Sequence, residues 1–163
     1  MKRDWSGYAP LVLRLMLGFG FLYHGVPKLS WGHAGFVIML DSIGIPSPSL
    51  MAWVVGVLEV VGGLALWAGA FTTIVSALLI VELTVALVKV HLAHGFNFVN
   101  LIDPSGPQFG MPGYEPVLLY MAGLLALILG GAGKYSVEGM RAARAKGGTP
   151  SMAPRYGPAG GVG

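Results

Sequence analysis

The 163-residue chain contains no cysteine. Disulfides, thiol redox chemistry, cysteine-ligated metals and covalently attached c-type haem are therefore excluded within this sequence. Charged residues are also scarce, at 10% of the chain, whereas soluble globular proteins carry about 25%. So few charges cannot cover a water-facing surface. Together with a hydrophobic content of 55%, this scarcity predicts an integral membrane protein whose first partner is the lipid bilayer.

Several motifs that identify common enzymes are absent as well. The sequence has no phosphate-binding loop, dinucleotide fingerprint, HExxH zinc motif or serine-nucleophile elbow. The net charge is +3, but the basic residues are concentrated towards the two ends of the sequence. This distribution is typical of membrane topology. We therefore expect no nucleic-acid partner.

Four apolar segments are long enough to cross a hydrocarbon core of about 30 Å. They predict an all-α membrane protein, a four-transmembrane-helix bundle, with spans over about residues 8–26, 50–70, 72–90 and 114–132. Pro27 is expected to end the first span, and a short interfacial helix is expected over residues 35–43. The connection at residues 69–71 is so short that the second and third spans should form an antiparallel hairpin.

The basic residues also predict the orientation of the bundle. Lys2 and Arg3 precede the first span, and several Lys and Arg residues follow the fourth. The positive-inside rule then places both termini in the cytoplasm and the two long loops on the extracytoplasmic side. We expect one membrane domain over residues 1–139, followed by a basic, Gly/Pro-rich cytoplasmic tail at residues 140–163 that is disordered.

Two glutamates are candidate catalytic residues because they lie within predicted spans. Glu59 shares a helical stripe with the small residues Ala52, Gly56 and Gly63, so it is expected to face a neighbouring helix and not lipid. Counting 1.5 Å of rise per residue places Glu59 about 13 Å, and Glu82 about 12 Å, below the same outer surface. The hairpin should therefore bring the two carboxylates to nearly equal depth.

Two interpretations of these acids remain open. In the first, Arg14 pairs with one glutamate and Lys89 with the other, and the ion pairs hold the bundle together. In the second, the glutamates line a polar pocket in which one stays protonated beside the other and takes part in proton transfer.

Histidines form a second cluster near the predicted extracytoplasmic interface. His24 ends the first span, His91 and His94 end the third, and Glu115 begins the fourth at the same level. These groups could bind a metal or haem, or donate hydrogen bonds to a quinone. Alternatively, they are interfacial histidines that bond to loop carbonyls. No metal-ligand set is assigned, and His33 is expected to be a solvated loop residue.

Four segments stand out in chain order: RLMLGFGFLYHGVPKL (14–29), GIP (44–46), GVLEVVGGLALWAG (56–69) and GGAGKYSVEG (130–139). Together they resemble the DoxX family of small four-helix bacterial membrane proteins. The resemblance carries over to Arg14, His24, Gly25, Lys28, Glu59, Gly133 and Ser136. Glu138 stands where relatives often have aspartate.

The resemblance implies a bacterial inner-membrane protein that is linked to membrane redox systems, because related DoxD-type proteins are subunits of thiosulfate:quinone oxidoreductase. We therefore expect a subunit of a quinone-linked complex with protein partners. Quinone is the favoured cofactor, and haem or a metal are alternatives. Glu59 and Glu82 would accept protons. The candidate cofactor-binding residues are His24, His91, His94, Arg14 and Lys89.

Two other functions remain open. A non-enzymatic assembly or scaffold subunit would bind its partner through the long loops and the small-residue helix faces. A small-solute carrier is less favoured, because the sequence shows no broken-helix pair and no inverted repeat.

Overall fold

A computed structural model describes residues 6–99, 110 and 112–147 of the chain. Lys2, Arg3 and residues 148–163, for which the sequence predicts a topology signal and a disordered tail, lie outside this range. Regular structure in the described residues is entirely helical. The α-helices are α1 (Ala9–Leu29), α2 (His33–Ser42), α3 (Pro48–Ala68), α4 (Thr72–Ala86), α5 (Glu115–Gly130) and α6 (Val137–Gly147).

Three described helices are long and apolar enough to cross a membrane: Ala9–Leu29, Pro48–Ala68 and Thr72–His94. The last of these is α4 extended by a π-helical turn at Leu87–His91 and a 3₁₀ turn at Leu92–His94. Helix α5 is apolar but has 16 residues, which correspond to about 24 Å of helix. Its crossing of the bilayer, and the side on which the termini lie, stay predictions.

Helix α1 continues through Pro27 to Leu29, so the expectation that Pro27 ends this helix is wrong. The ring removes one backbone donor near the end of α1, which costs far less than the same break at mid-helix. The Pro27 carbonyl then accepts hydrogen bonds from Ser30 N and Gly32 N, and these bonds close the helix end. The short helix expected at residues 35–43 is present as α2.

Helices α1 and α3 pack with their backbones close together. A Cβ atom on Gly63 would lie 2.8 Å from the Gly18 carbonyl oxygen, so neither position has room for a side chain. Ala52, Gly56 and Glu59 are buried on the same stripe of α3 as Gly63. The stripe therefore faces protein, as its spacing predicts.

Helices α3 and α4 form the predicted antiparallel hairpin. Gly69 ends α3 with φ 65° and Phe71 precedes α4 with φ 53°, so two left-handed residues reverse the chain. The core beneath the hairpin consists of apolar side chains from α1, α3, α4 and α5. They are Leu17, Phe21, Leu66, Leu79, Leu124 and Leu127.

Helix α6 extends the regular structure past the predicted boundary at residue 139. The sequence predicts disorder from residue 140, whereas residues 140–147 continue this helix. Ser136 Oγ accepts a hydrogen bond from Gly139 N at 2.9 Å, an N-cap contact that satisfies a free donor of the first turn. Glu138 Oε1 accepts from Thr72 N at 2.6 Å. These contacts tie α6 to the α3–α4 turn.

Candidate functional site

A cavity of about 170 Å³ lies between α1, α3, α4 and the start of α5. It brings together four of the seven candidate site residues that the sequence predicts, which are Glu59, Glu82, His24 and His91. Its polar lining consists of His24, Lys28, Glu59, Glu82, His91 and Tyr120, and the rest of the lining is apolar.

Glu59 forms an ion pair with Lys28 in this cavity. Lys28 Nζ lies 2.7 Å from Glu59 Oε1, and Glu59 is only 4% exposed. Because α1 continues through Pro27, Lys28 stays on a helix and reaches α3. The expected pairing of the glutamates with Arg14 and Lys89 is therefore wrong for Glu59. Lys89 is exposed and does not line the cavity.

Glu82 lies beside Glu59, as the depth estimate predicts. Both residues line the same cavity. Within the described part of the chain, neither Glu59 Oε2 nor Glu82 Oε2 has a hydrogen-bond partner, although both atoms are buried. A buried polar atom without a partner costs free energy. The two acids that line the cavity therefore each carry one buried, unsatisfied oxygen.

The histidines divide between the cavity and its surroundings. His24 and His91 line the cavity, whereas His94 is exposed and lies outside it. His91 Nδ1 donates a hydrogen bond to the Pro112 carbonyl oxygen at 3.0 Å. His33 is not solvated as expected: its Nδ1 donates to the Lys28 carbonyl oxygen at 2.8 Å, and its ring packs on Trp53 at 4.6 Å.

Two backbone irregularities flank the cavity. In α4 the π-helical turn at Leu87–His91 carries His91, and such turns occur frequently at functional sites. In α1 the missing donor of Pro27 leaves the Tyr23 carbonyl without its usual helical partner. Irregular backbone at membrane depth is tolerated where it lies within protein or lines a cavity, which agrees with both positions.

Arg14 lies in a separate cluster at the far end of α3, about 10 Å along the helix from Glu59. It is fully buried. Its Nη1 donates to the carbonyl oxygens of Leu66 and Trp67 at 3.2 Å each, and its Nη2 donates to Tyr135 O at 2.5 Å. A cation at a helix C-terminus is favourable. Arg14 therefore does not reach the level of the glutamates, contrary to expectation.

The residues that carry the family resemblance divide between these two places. His24, Lys28 and Glu59 line the cavity, and a Cβ atom on Gly25 would lie 2.8 Å from Glu59 Cβ. The others belong to the Arg14 cluster, the α3–α4 turn or the N-terminus of α6: Arg14, Gly133, Ser136 and Glu138.

Sequence reasoning missed Lys28 and Tyr120 as cavity residues. Lys28 follows His24 by four positions, so a continuous helix would have placed both on one face. Tyr120 carries no comparable local signal.

The structure does not place the glutamates and histidines as a metal site. Among residues 6–99, 110 and 112–147, no three His, Asp or Glu side chains are arranged to hold a metal ion.

Comparison with known proteins identifies the family. The DoxX family model matches residues 9–92, which include α1 to α4. The chain is 36% identical over 86 residues to "Putative oxidoreductase CatD" of Bacillus subtilis (strain 168). This match covers 53% of the chain and 62% of CatD, so the chain spans less than two thirds of that relative.

A second relative matches over a longer range at lower identity. It is "Uncharacterized membrane protein Rv3486" of Mycobacterium tuberculosis (strain ATCC 25618 / H37Rv), which is 25% identical over 135 residues, or 78% of each chain. No solved structure matches. The family model covers half of the sequence, including helices α1 to α4. This chain is therefore a membrane protein of the DoxX family.

Proposed function

We propose that the chain is a quinone-binding subunit of a redox complex in the bacterial inner membrane. The observation that carries the proposal is the cavity lined by Glu59, Glu82, Lys28, His24 and His91, in which each glutamate has one buried oxygen without a partner in the described structure. Ionisable groups are costly at membrane depth and mark functional sites there. CatD is named an oxidoreductase, which agrees with a redox role.

The size and the lining of the cavity fit a single aromatic ring. A cavity of about 150 Å³ accommodates benzene in another protein, and this one measures about 170 Å³. Phe21 and Tyr120 meet edge to face at 5.5 Å and supply apolar surface, while the ionisable groups supply polar contacts. This combination is typical of small-molecule sites in proteins.

A quinone supplies two-electron, two-proton redox chemistry when it is bound. Side chains of this protein would bind and transfer the protons. Glu59 and Glu82 each have a free oxygen that can hold a proton, and Lys28 stabilises the charged form of Glu59 through their ion pair. Proton exchange between the two neighbouring acids would move a proton from α3 to α4 within the cavity.

We also propose that α5 completes a four-helix bundle and that both termini are cytoplasmic. Helix α5 packs against α4 and α1, and the cavity uses its first two turns through Pro116, Val117 and Tyr120. A bundle of three spans alone would leave this wall open to lipid.

Extraction of bound quinone from purified protein tests the proposal. The chain is purified in mild detergent and extracted with organic solvent, and quinone is quantified by mass spectrometry. Wild-type protein should carry bound quinone. Glu82→Ala removes a cavity group that can donate a hydrogen bond to a quinone oxygen when it is protonated, and it should lower the affinity for quinone by roughly fivefold, the effect of losing one hydrogen bond. Glu115→Ala is the matched control, because that carboxylate accepts from Phe98 N at 3.1 Å outside the cavity.

Two results would contradict the proposal: wild-type protein that carries no quinone, or a Glu82→Ala variant that retains it fully. The melting temperature of each variant separates loss of ligand from loss of fold. The scaffold alternative has its own support, because Glu59 already has a partner in Lys28 and the pair could serve stability alone. Cofactor-free protein that brings down one stable partner would favour that alternative.

A further inference from the structure

We infer that helix α6 lies along the membrane surface and binds the anionic headgroups of phospholipids through Arg141 and Arg144. This surface is at the end of the bundle opposite the proposed quinone site and is independent of it. Three features of the molecule support the assignment: the level at which α6 begins, the side chains that it exposes, and the aromatic cluster beside its first turn.

Helix α6 begins at a membrane surface. The α3–α4 turn connects two helices that are each long and apolar enough to cross the bilayer, so the turn lies at the edge of the hydrocarbon core. Two hydrogen bonds hold the start of α6 against this turn. Glu138 N donates to Gly69 O at 3.2 Å, and Glu138 Oε1 accepts from Thr72 N at 2.6 Å. The helix therefore starts at the level of the lipid headgroups.

The exposed face of α6 is basic. Met140, Arg141 and Arg144 are exposed, and they are neighbours because residues three and four positions apart lie on one face of a helix. Glu138 is the only acidic residue of the α6 sequence, and its carboxylate accepts from Thr72 N at the turn. Residues 139–147 contain no Asp or Glu. The two arginines therefore give this face a net positive charge.

An aromatic cluster lies beside the first turn of α6, at the start of α1. The Tyr8 and Tyr135 rings are 4.8 Å apart, and the Tyr135 hydroxyl donates to the Tyr8 hydroxyl at 3.0 Å. The exposed Lys134 places its Nζ 5.0 Å from the centroid of the Tyr135 ring. Tyrosines are enriched at the membrane–water interface, and lysines extend their charged ends towards water there. The cluster therefore indicates the same headgroup level and adds a third cation.

The composition of α6 determines which lipid complements it. Val137 and Met140 are its only large apolar residues, so burial of apolar surface contributes little to membrane binding. Each Lys or Arg near an anionic membrane surface strengthens binding by roughly fivefold. An arginine can also form two parallel hydrogen bonds with a phosphate group. We therefore expect α6 to bind a membrane that contains anionic phospholipid, and to bind a zwitterionic membrane weakly.

The solvent exposure of α6 in nanodiscs tests the inference. Ala143→Cys places a single thiol at an exposed position of α6 in the cysteine-free chain, and the thiol is labelled with a fluorophore. The protein is reconstituted in nanodiscs of phosphatidylcholine, or of phosphatidylcholine and phosphatidylglycerol in equal amounts. Acrylamide, an uncharged quencher in water, measures the exposed fraction of the label. The label should be protected in the mixed membrane and exposed in phosphatidylcholine, and high salt should remove the protection.

Charge variants of the labelled protein identify the groups responsible. Arg141→Gln combined with Arg144→Gln keeps strong helix formers at both positions and should weaken the docking of α6 roughly twentyfold, since each arginine contributes about fivefold. Lys89→Gln is the matched control, because it removes a positive charge from an exposed position at the opposite end of α4. It should leave the protection unchanged. Circular dichroism shows whether each variant is folded.

Three results would overturn the inference. Equal protection in both membranes would show that apolar contacts dock the helix without anionic lipid. Equal quenching in both membranes would show that α6 stays in water, where a protein partner could bind it. Full protection in the double arginine variant would show that other groups are responsible. None of these results depends on bound quinone, so the test is separate from that of the proposed function.

Discussion

Two basic side chains of α1 bind different kinds of partner. Lys28 pairs with the Glu59 carboxylate in the cavity, whereas Arg14 donates to backbone carbonyls at the end of α3 and after α5. An unpaired carboxylate at membrane depth would be expensive. The pair with Lys28 therefore allows Glu59 to occupy the stripe of small residues on α3.

Breaking this pair from one side should destabilise the protein. Lys28→Met leaves the Glu59 carboxylate buried without a cation and should lower the free energy of unfolding by about 2 kcal/mol, less than for a fully buried pair because Lys28 is partly exposed. Adding Glu59→Gln should restore most of the loss, since no uncompensated charge remains. Denaturation in detergent measures both variants, and equal stability of the single and double variants would refute the ion-pair account.

The residues of the site were only partly predictable from sequence. The apolar spacing around Glu59 and the short hairpin loop placed Glu59 beside Glu82, because both signals depend on local helical geometry. The Lys28 partner was missed because Pro27 indicated a helix end. A proline in the last turn ends a helix or is tolerated according to its tertiary surroundings, which local sequence does not contain.

At the scale of the helices, departures from regular α-helix lie where the function is proposed. The π-helical turn of α4 carries His91 into the cavity wall, and its sequence, LVKVH, gives no local sign of it. Helix α6 was missed for a different reason. Its Gly-rich and basic surroundings indicated a tail, whereas its Ser136 cap and its Glu138 contacts with the α3–α4 turn stabilise a helix.

The crossing of α5 can be tested by single-cysteine labelling, for which the cysteine-free chain needs no prior mutagenesis. Asp41→Cys on α2 and Ala143→Cys on α6 lie at exposed positions. If α3, α4 and α5 all cross, these sites face opposite sides. A membrane-impermeant maleimide should then label residue 41 in intact spheroplasts and residue 143 only after lysis. Equal labelling of both sites would show that α5 does not cross.

On the scale of the whole molecule, the residues that carry the family resemblance lie at two ends of the helical bundle, and the two groups have different roles. The Arg14 cluster joins α1, the α3–α4 turn and the start of α6, and so stabilises the fold. The other end contains the ion pair, the free acid oxygens and the histidines around one cavity. The composition and the apolar spans predict a helical membrane protein. They do not predict that these residues lie in two separate groups, because that depends on packing between segments far apart in the sequence.

The proposed quinone site is the cavity between α1, α3, α4 and α5, and not the outer surface. Photolabelling with an azidoquinone in native membranes, followed by peptide mapping, tests it directly. A second, almost wholly apolar groove on the outer face of α3 and α4, lined by Trp53, Val57, Val61 and Leu78 among others, provides an internal comparison. We predict label on cavity residues such as Phe21, Leu83 and Tyr120, with loss of label when excess unlabelled quinone competes. Label confined to the outer groove, or label that does not compete, would contradict the account.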